Sequence, residues 1–239
     1  MSMEIAERRE EVVGDDVAVR WAESPTMSVM HSSDSIAERI TAAGALLETS
    51  RVVTELLRHT APATHQRSER ITRLVNAAVR HLQLDEAWEF EVAARFSQIG
   101  RLALPEPMRE AAASDTALSE HDERQLASHP LIARDLLADV PRLEAVREMI
   151  ARQNEPFTVA DLPLGSRGAR DRTSVGGQLL RVASDFDALA VRGIPPADAV
   201  ATLAARRGEY DETVLNAVSA VVTVRPQHWS PPPLPLVQG

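Results

Sequence analysis

Residue types able to do metal or nucleophilic chemistry are sparse in this chain of 239 residues. It has seven histidines and no cysteine, so disulfides and thiolate sites are excluded and any metal would rest on imidazole and carboxylate. His31, His59, His81 and His228 have no partners at ligand spacing. His121-Asp122 is an adjacent imidazole–carboxylate pair, but it follows Ser119 in "LSEHDERQLASHPL". There Ser119 and Asp122 read as a capping box, in which an N-cap hydroxyl and an N3 carboxylate satisfy the free N–H groups of a first helical turn. "AARFSQIGRLALPEP", from Ala93 to Pro107, poses the sharper question. An apolar helix arrives at Phe96, then come Ser97-Gln98, Ile-Gly-Arg and a Pro-bounded exit. The cadence is that of a metal-site helix, yet a hydroxyl and an amide stand where ligands are expected.

The elements that must position these residues are helical. Residues 1–33 are polar and mixed, and read as a flexible arm. Ser33 or Asp34 can cap a helix over 34–60, because a short side-chain oxygen accepts a free first-turn N–H. That helix carries Ile36, Ile40, Ala43, Leu47, Val53 and Leu57, mostly three or four residues apart. The stripe suits packing on the domain or pairing with a second copy. A second helix is expected over 62–82, with Ile71, Leu74, Val75, Ala78 and Leu82 on one face. "LQLDEAWEFEVAARF" starts a third, "LPEPMREAAA" is a short Pro-opened helix, and "LSEHDERQLASHPLIARDLLADV" reads as one long helix. "PRLEAVREMIARQ" places Pro141 at a helix start, where its missing N–H does no harm. Pro163, Gly165 and Gly168 mark 157–177 as the expected mobile segment. Helices follow over 178–193, closed by Gly193, then after Pro195-Pro196 to Gly208, and over 211–224. "AVVTV" at 220–224 fits a strand or a buried helix. The tail 225–239 is Pro-rich and cannot form helix. The fold class expected is all-α, a bundle of roughly eight to ten helices.

Composition narrows the function. Aromatics make up 3% of the chain, so the core must come from Leu, Val, Ile and Ala, a palette that favours helices. Net charge is −9, which argues against nucleic acid, since phosphate backbones need a basic face. All 26 basic residues are arginine, as codon bias in a GC-rich genome produces. No apolar run reaches membrane-spanning length, and "MSMEIAERREEVVGDD" is charged throughout, unlike a signal peptide. A cytoplasmic protein without a membrane partner is expected.

Five segments in order resemble the HD-GYP domains, a branch of the HD metal-dependent phosphohydrolases, over residues 62–222. "SERITRLV…HLQL" looks like their opening helix, and "AARFSQIGRLALPEPM" like their "AALLHDIGKIGIPD". "LSEHDERQLASHPLIARDLL" resembles "LTxEExxxMxxHPxxGxxIL", the most specific of the matches. "EMIARQNEPF" stands where the family has a His-His-Glu run, and "LLRVASDFDAL" resembles "RILAVADVFDAL". The "LPEP" exit and "FDAL" favour this branch over the related HDOD type. The resemblance implies an HD-like helical domain over 61–224. It also implies hydrolysis of cyclic di-GMP by iron or manganese ions on His and Asp ligands. Such metals acidify a bound water and neutralise phosphodiester charge.

At those positions the ligand types are missing. The His-Asp pair is Ser97-Gln98, the His-His pair is Gln153-Asn154 with Glu155 kept, and the late Asp is Ser184. "DLP" at 161–163 is the nearest trace of Gly-Tyr-Pro. Matching "SERI" to the family's "SxRV" puts Arg67 in the first ligand position and turns His65, two residues or about 200° away, from the site. His129 is the ligand-type residue kept. Neutral amides and hydroxyls in a metal-free pocket are expected to bond one another, with Arg67 pairing Glu155 or Asp187. Asp185, one step and about 100° from Ser184, is expected to be exposed or capping. Arg101 stands where active members have a phosphate-contacting Lys, and suits either a phosphate or a surface ion pair.

The resemblance therefore implies a domain without catalytic residues, metal or other cofactor, acting through protein contacts in bacterial signalling. Its partners would be a separate receiver or diguanylate-cyclase-type protein, because the first 60 residues lack a receiver's apolar strands. A homodimer through 34–59 is a further expectation. Two other readings stand beside it. One is a non-hydrolytic nucleotide sensor using Arg67 and Arg101. The other is a residual metal phosphohydrolase with His65, His129, Glu155 and Asp185 as ligands.

Overall fold

The structure, a computed structural model, describes residues 25–113, 118–157 and 171–224, with side chains from 41 onward. The expected arm before residue 25, the Pro/Gly segment 158–170 with its "DLP", and the tail 225–239 lie outside the described residues. Two units divide the chain, 1–45 and 46–239. The first is described only by the helical backbone from residue 25.

Every described element is helical, as the low aromatic content and the three-to-four-residue apolar spacing require. In order they are α1 (Pro25–Thr60), α2 (Pro62–Leu82), α3 (Ala87–Phe96), a 3-10 turn (Ile99–Ala103), α4 (Glu106–Ala113), α5 (Glu120–Ala127) and α6 (His129–Leu136). Then follow α7 (Glu144–Ala151), a second 3-10 turn (Arg152–Asn154), α8 (Arg172–Val191), α9 (Pro196–Ala204) and α10 (Glu212–Val224). "AVVTV" is the end of α10, not a strand. Among the described residues no helix is long and apolar enough to cross a membrane.

Helix α2 is the centre of the second unit. Ile71, Leu74, Val75 and Ala78 are buried on it, and it packs on α3, α8 and α10. Phe90 of α3, Ile150 of α7, Leu179 and Phe186 of α8, Leu203 of α9 and Val218 of α10 complete one continuous core. Burying each such side chain contributes about 1.5–3 kcal/mol relative to leaving it in water. Tyr210 closes the far end: its hydroxyl donates to Asp185 Oδ2 at 2.8 Å and its ring lies under Arg181. Asp185 is therefore neither exposed nor capping, as its place beside Ser184 suggested; it is tied to the loop before α10.

Several boundaries differ from the sequence reading, each for a local reason. Helix α1 begins at Pro25 rather than at 34, so Ser33 and Asp34 lie inside it. A cap contributes only about 1 kcal/mol and does not stop a helix that Pro25 has already opened. The long helix over 118–140 is two helices. Pro130 has no N–H to give Leu126 and its ring would meet that carbonyl, so α5 ends at Ala127 and α6 starts at His129. Pro141 does not open α7. Arg142 adopts a left-handed φ of 65° and delays the helix to Glu144. Helix α8 starts six residues before 178, because the Asp171 carboxylate accepts the Thr173 N–H and caps it. Ser119 Oγ accepts the Asp122 N–H at 3.2 Å and donates to the Asp122 carboxylate, so the His121-Asp122 pair belongs to a helix cap.

Two glycines set how closely the site-bearing segments approach. A Cβ on Gly100 would overlap the carbonyl of His129 and lie 2.8 Å from the Ala133 amide nitrogen, both backbone. A Cβ on Gly176 would meet only the Met149 side chain, which can move. Gly100→Ala is therefore expected to destabilise by about 2–3 kcal/mol, as overpacking does. The corresponding fall in melting temperature is roughly 5–10 °C. Gly176→Ala should cost clearly less, and differential scanning calorimetry of both variants checks the order.

Candidate functional site

Arg67 leaves α2 toward α8 and gathers the site around itself. Its Nη1 donates to Asp187 Oδ2 at 3.0 Å, its Nη2 to the Ser184 carbonyl at 3.1 Å, and its Nε to Gln98 Oε1 at 3.1 Å. Arg70, one turn further along α2, grips the same carboxylate, with Nε on Oδ1 and Nη2 on Oδ2 at 3.1 Å. Asp187 is 1% exposed, so its charge is held by these two guanidiniums rather than by water. Burial lowers the Arg67 pKa and the Asp187 charge opposes that shift. The expected alternative partner of Arg67, Glu155, is exposed and not bonded to it.

The neutral residues form a chain behind Arg67. Gln98 Nε2 donates to Ser97 Oγ at 3.1 Å, and Ser97 Oγ donates to the Ala94 carbonyl at 2.9 Å. Gln153, in the turn after α7, donates from Nε2 to the Ser97 carbonyl at 3.2 Å. Ser97, Gln98 and Gln153 are all at most 2% exposed. Their polar groups must pair with each other or remain costly orphans. Asn154 is not in this chain: it is exposed, and its Nδ2 caps the end of α5 through the Ala127 carbonyl at 2.7 Å.

His129 opens α6 with Nδ1 2.7 Å from the Leu126 carbonyl. A carbonyl only accepts, so Nδ1 carries the proton and Nε2 presents a bare lone pair. That Nε2 is buried without a partner, as are Ser184 Oγ and Arg101 Nε. Burial, and secondarily the Arg101 charge, push His129 down to about 3, so the ring is neutral at physiological pH. Arg101, in the turn after α3, is half-buried and makes no surface ion pair. Burial, then repulsion from Arg67, hold it down at about 9, still cationic at neutral pH. Three guanidiniums thus face one buried carboxylate.

This donor set does not fit a dinuclear metal centre. Among the described residues no three His, Asp, Glu or Cys side chains are grouped to hold an ion. The alternative set of His65, His129, Glu155 and Asp185 is not brought together: Asp185 is held by Tyr210, Glu155 is exposed, and among the described residues no three of the four group to hold an ion. Arg70 escaped the sequence reading. The signal was there, since a residue three positions from Arg67 shares its helix face, but nothing in the sequence says that the face points at Asp187.

Two outcomes follow from this geometry. Asp187→Ala leaves two buried guanidiniums unpaired and should destabilise by about 3–5 kcal/mol, read from urea unfolding. His129 titrates near 6.5 when unfolded and near 3 when folded. The unfolded chain therefore binds the extra proton between those values, and stability falls as pH drops from about 6.5 toward 3. His129→Gln should flatten that dependence between pH 6.5 and 4.5.

Comparison with known proteins agrees with this arrangement of helices. No curated protein matches the chain. The sequence pattern of the HD domain family matches residues 51–214, from the C-terminal half of α1 into α10. That span covers more than half of the sequence and contains every site residue described above, so the chain belongs to the HD domain family.

Proposed function

We propose that this HD-family chain is a catalytically inactive, HD-GYP-like regulatory domain that acts through protein contacts in a bacterial signalling pathway. The observation that carries the reading is the position of Arg67. In the HD-GYP resemblance that position belongs to a metal-ligating histidine. Here a guanidinium fills it and is bonded to Gln98, Ser184 and Asp187. A guanidinium is always cationic and has no lone pair to give a metal. Amides and hydroxyls at the remaining positions ligate iron or manganese poorly, and without a metal no water is acidified for attack on a phosphodiester.

The test is metal content and turnover together. Protein purified after growth with iron and manganese should carry far less than one metal per chain and leave cyclic di-GMP intact. Stoichiometric metal that disappears in His129→Ala, together with hydrolysis, would overturn the proposal and restore a phosphohydrolase.

A second reading, a nucleotide sensor, is favoured by Arg101. Its Nε has no partner, and the cluster holds more positive than negative charge. An unbalanced buried guanidinium attracts an oxyanion such as a nucleotide phosphate. Calorimetry with cyclic di-GMP should show binding that Arg101→Gln weakens at least tenfold while the melting temperature is kept. No heat at about millimolar ligand, where even a binder of only ~4 kcal/mol responds, removes this reading.

A further inference from the structure

The C-terminal half of α1 has two unlike faces. Toward the core, Leu57 is buried, and Ser50 and Thr54 are buried with hydroxyls bonded to the Leu47 and Ser50 carbonyls at 2.7 and 2.9 Å. Away from it, Val52 is 62% and Leu56 63% exposed, one turn apart, with Val53 at 36%. The stripe expected from the sequence either to pack on the domain or to pair with a second copy divides: Leu47 and Leu57 pack on the core while Val53 turns outward. Three of the five large exposed hydrophobics among the described residues lie on this one helix.

The charges beside this stripe are arranged on one side only. At about 100° per residue, Glu48, Arg51, Glu55 and Arg58 all fall on the same flank, and Val53 and Thr60 on the other. The flank alternates in sign and is neutral in sum, with Arg51 2.6 Å from Glu48 and Arg58 2.7 Å from Glu55. Arg51 also reaches Glu91 of α3 at 3.6 Å. In a parallel two-fold pair of helices, the charged flank would meet the uncharged one. In an antiparallel pair each flank meets its own copy reversed, because the two-fold axis stands perpendicular to both helices. Reversal about Val53 sets Glu48 level with Arg58 of the second copy and Arg51 level with Glu55. The same reversal brings Leu56 within one residue of the height of Thr49 in the second copy, and sets Val52 within two residues of the height of its own copy across the axis.

We propose that this face of α1 docks a second copy of the chain, antiparallel, with Val52 on the seam and the two-fold axis at the height of Val53. The inference gives the protein-contact reading a partner and rests on that reading only for its purpose. Association is measured without metal or nucleotide, so either can fail alone. A seam of three helical turns is short, and dimerisation at about 10–100 µM is expected.

The absence of native cysteine makes the geometry directly testable in the full chain. Val52→Cys should cross-link to itself under mild oxidation. Thr49→Cys and Leu56→Cys should cross-link only when the two variants are mixed. Sedimentation equilibrium of Leu56→Glu should give a monomer with unchanged helical content, since Leu56 lies on the surface. Self-cross-linking of Thr49→Cys and Leu56→Cys taken singly would mean a parallel pair and overturn the proposal. A wild-type chain monomeric up to several hundred micromolar, as when a segment of the same chain covers the face, would overturn it too.

Discussion

A buried carboxylate governs this structure. Asp187 is 1% exposed and sits between Arg67 and Arg70. A lone carboxylate in that place would carry a desolvation penalty of several kcal/mol, so the two guanidiniums must turn inward. Once Arg67 has done so, its remaining donors need acceptors, and it finds them in the Gln98 side chain and the Ser184 carbonyl. Helix α2, the end of α3 and helix α8 are fixed against each other by one arginine. An ion pair of this kind is weak evidence for high stability, because its Coulomb gain mostly offsets desolvation. Its consequence is specificity: it leaves a single way to arrange three segments.

The remaining site groups are placed by backbone constraints rather than by charge. Pro130 breaks the helix and leaves the Leu126 carbonyl to accept from His129, which fixes the tautomer and aims a lone pair at the cluster. Gly100 lets the turn after α3 lie directly on the His129 carbonyl, bringing Arg101 beside that imidazole. The Arg101 charge then disfavours protonation of that imidazole. Gly176 and Gly177 do the same for α8 against Met149 and Arg152, seating Gln153 under Ser97.

How much of this was legible depended on the range of the interaction. Helix α2 could be read closely, because its signals are local: Pro62 at the start and a 3.6-residue apolar stripe. The replacement of ligand types at Ser97, Gln98, Gln153 and Ser184 was equally readable, since residue identity needs no coordinates. What failed was local reading applied where tertiary terms decide. Pro141 looks like a helix opener until Arg142 is seen in a left-handed conformation. Asp185 looks like a surface residue until Tyr210 reaches it. Arg101 looks like a surface cation until its Nε is found buried. The outward stripe of α1 was missed because Val52 and Leu56 fit a helical period as well as the inward set does.

The sequence by itself determined that the chain is helical, that its core is aliphatic, and that the expected ligand positions hold amides, hydroxyls and arginine. These are properties of composition, period and identity, carried by each residue or by its near neighbours. Tertiary structure alone decided which arginine meets which carboxylate and that Arg70 shares Asp187 with Arg67. Those choices depend on contacts across about 120 residues of chain, as between Arg67 and Asp187. A helical period records which face a residue occupies, but only packing determines what that face will meet.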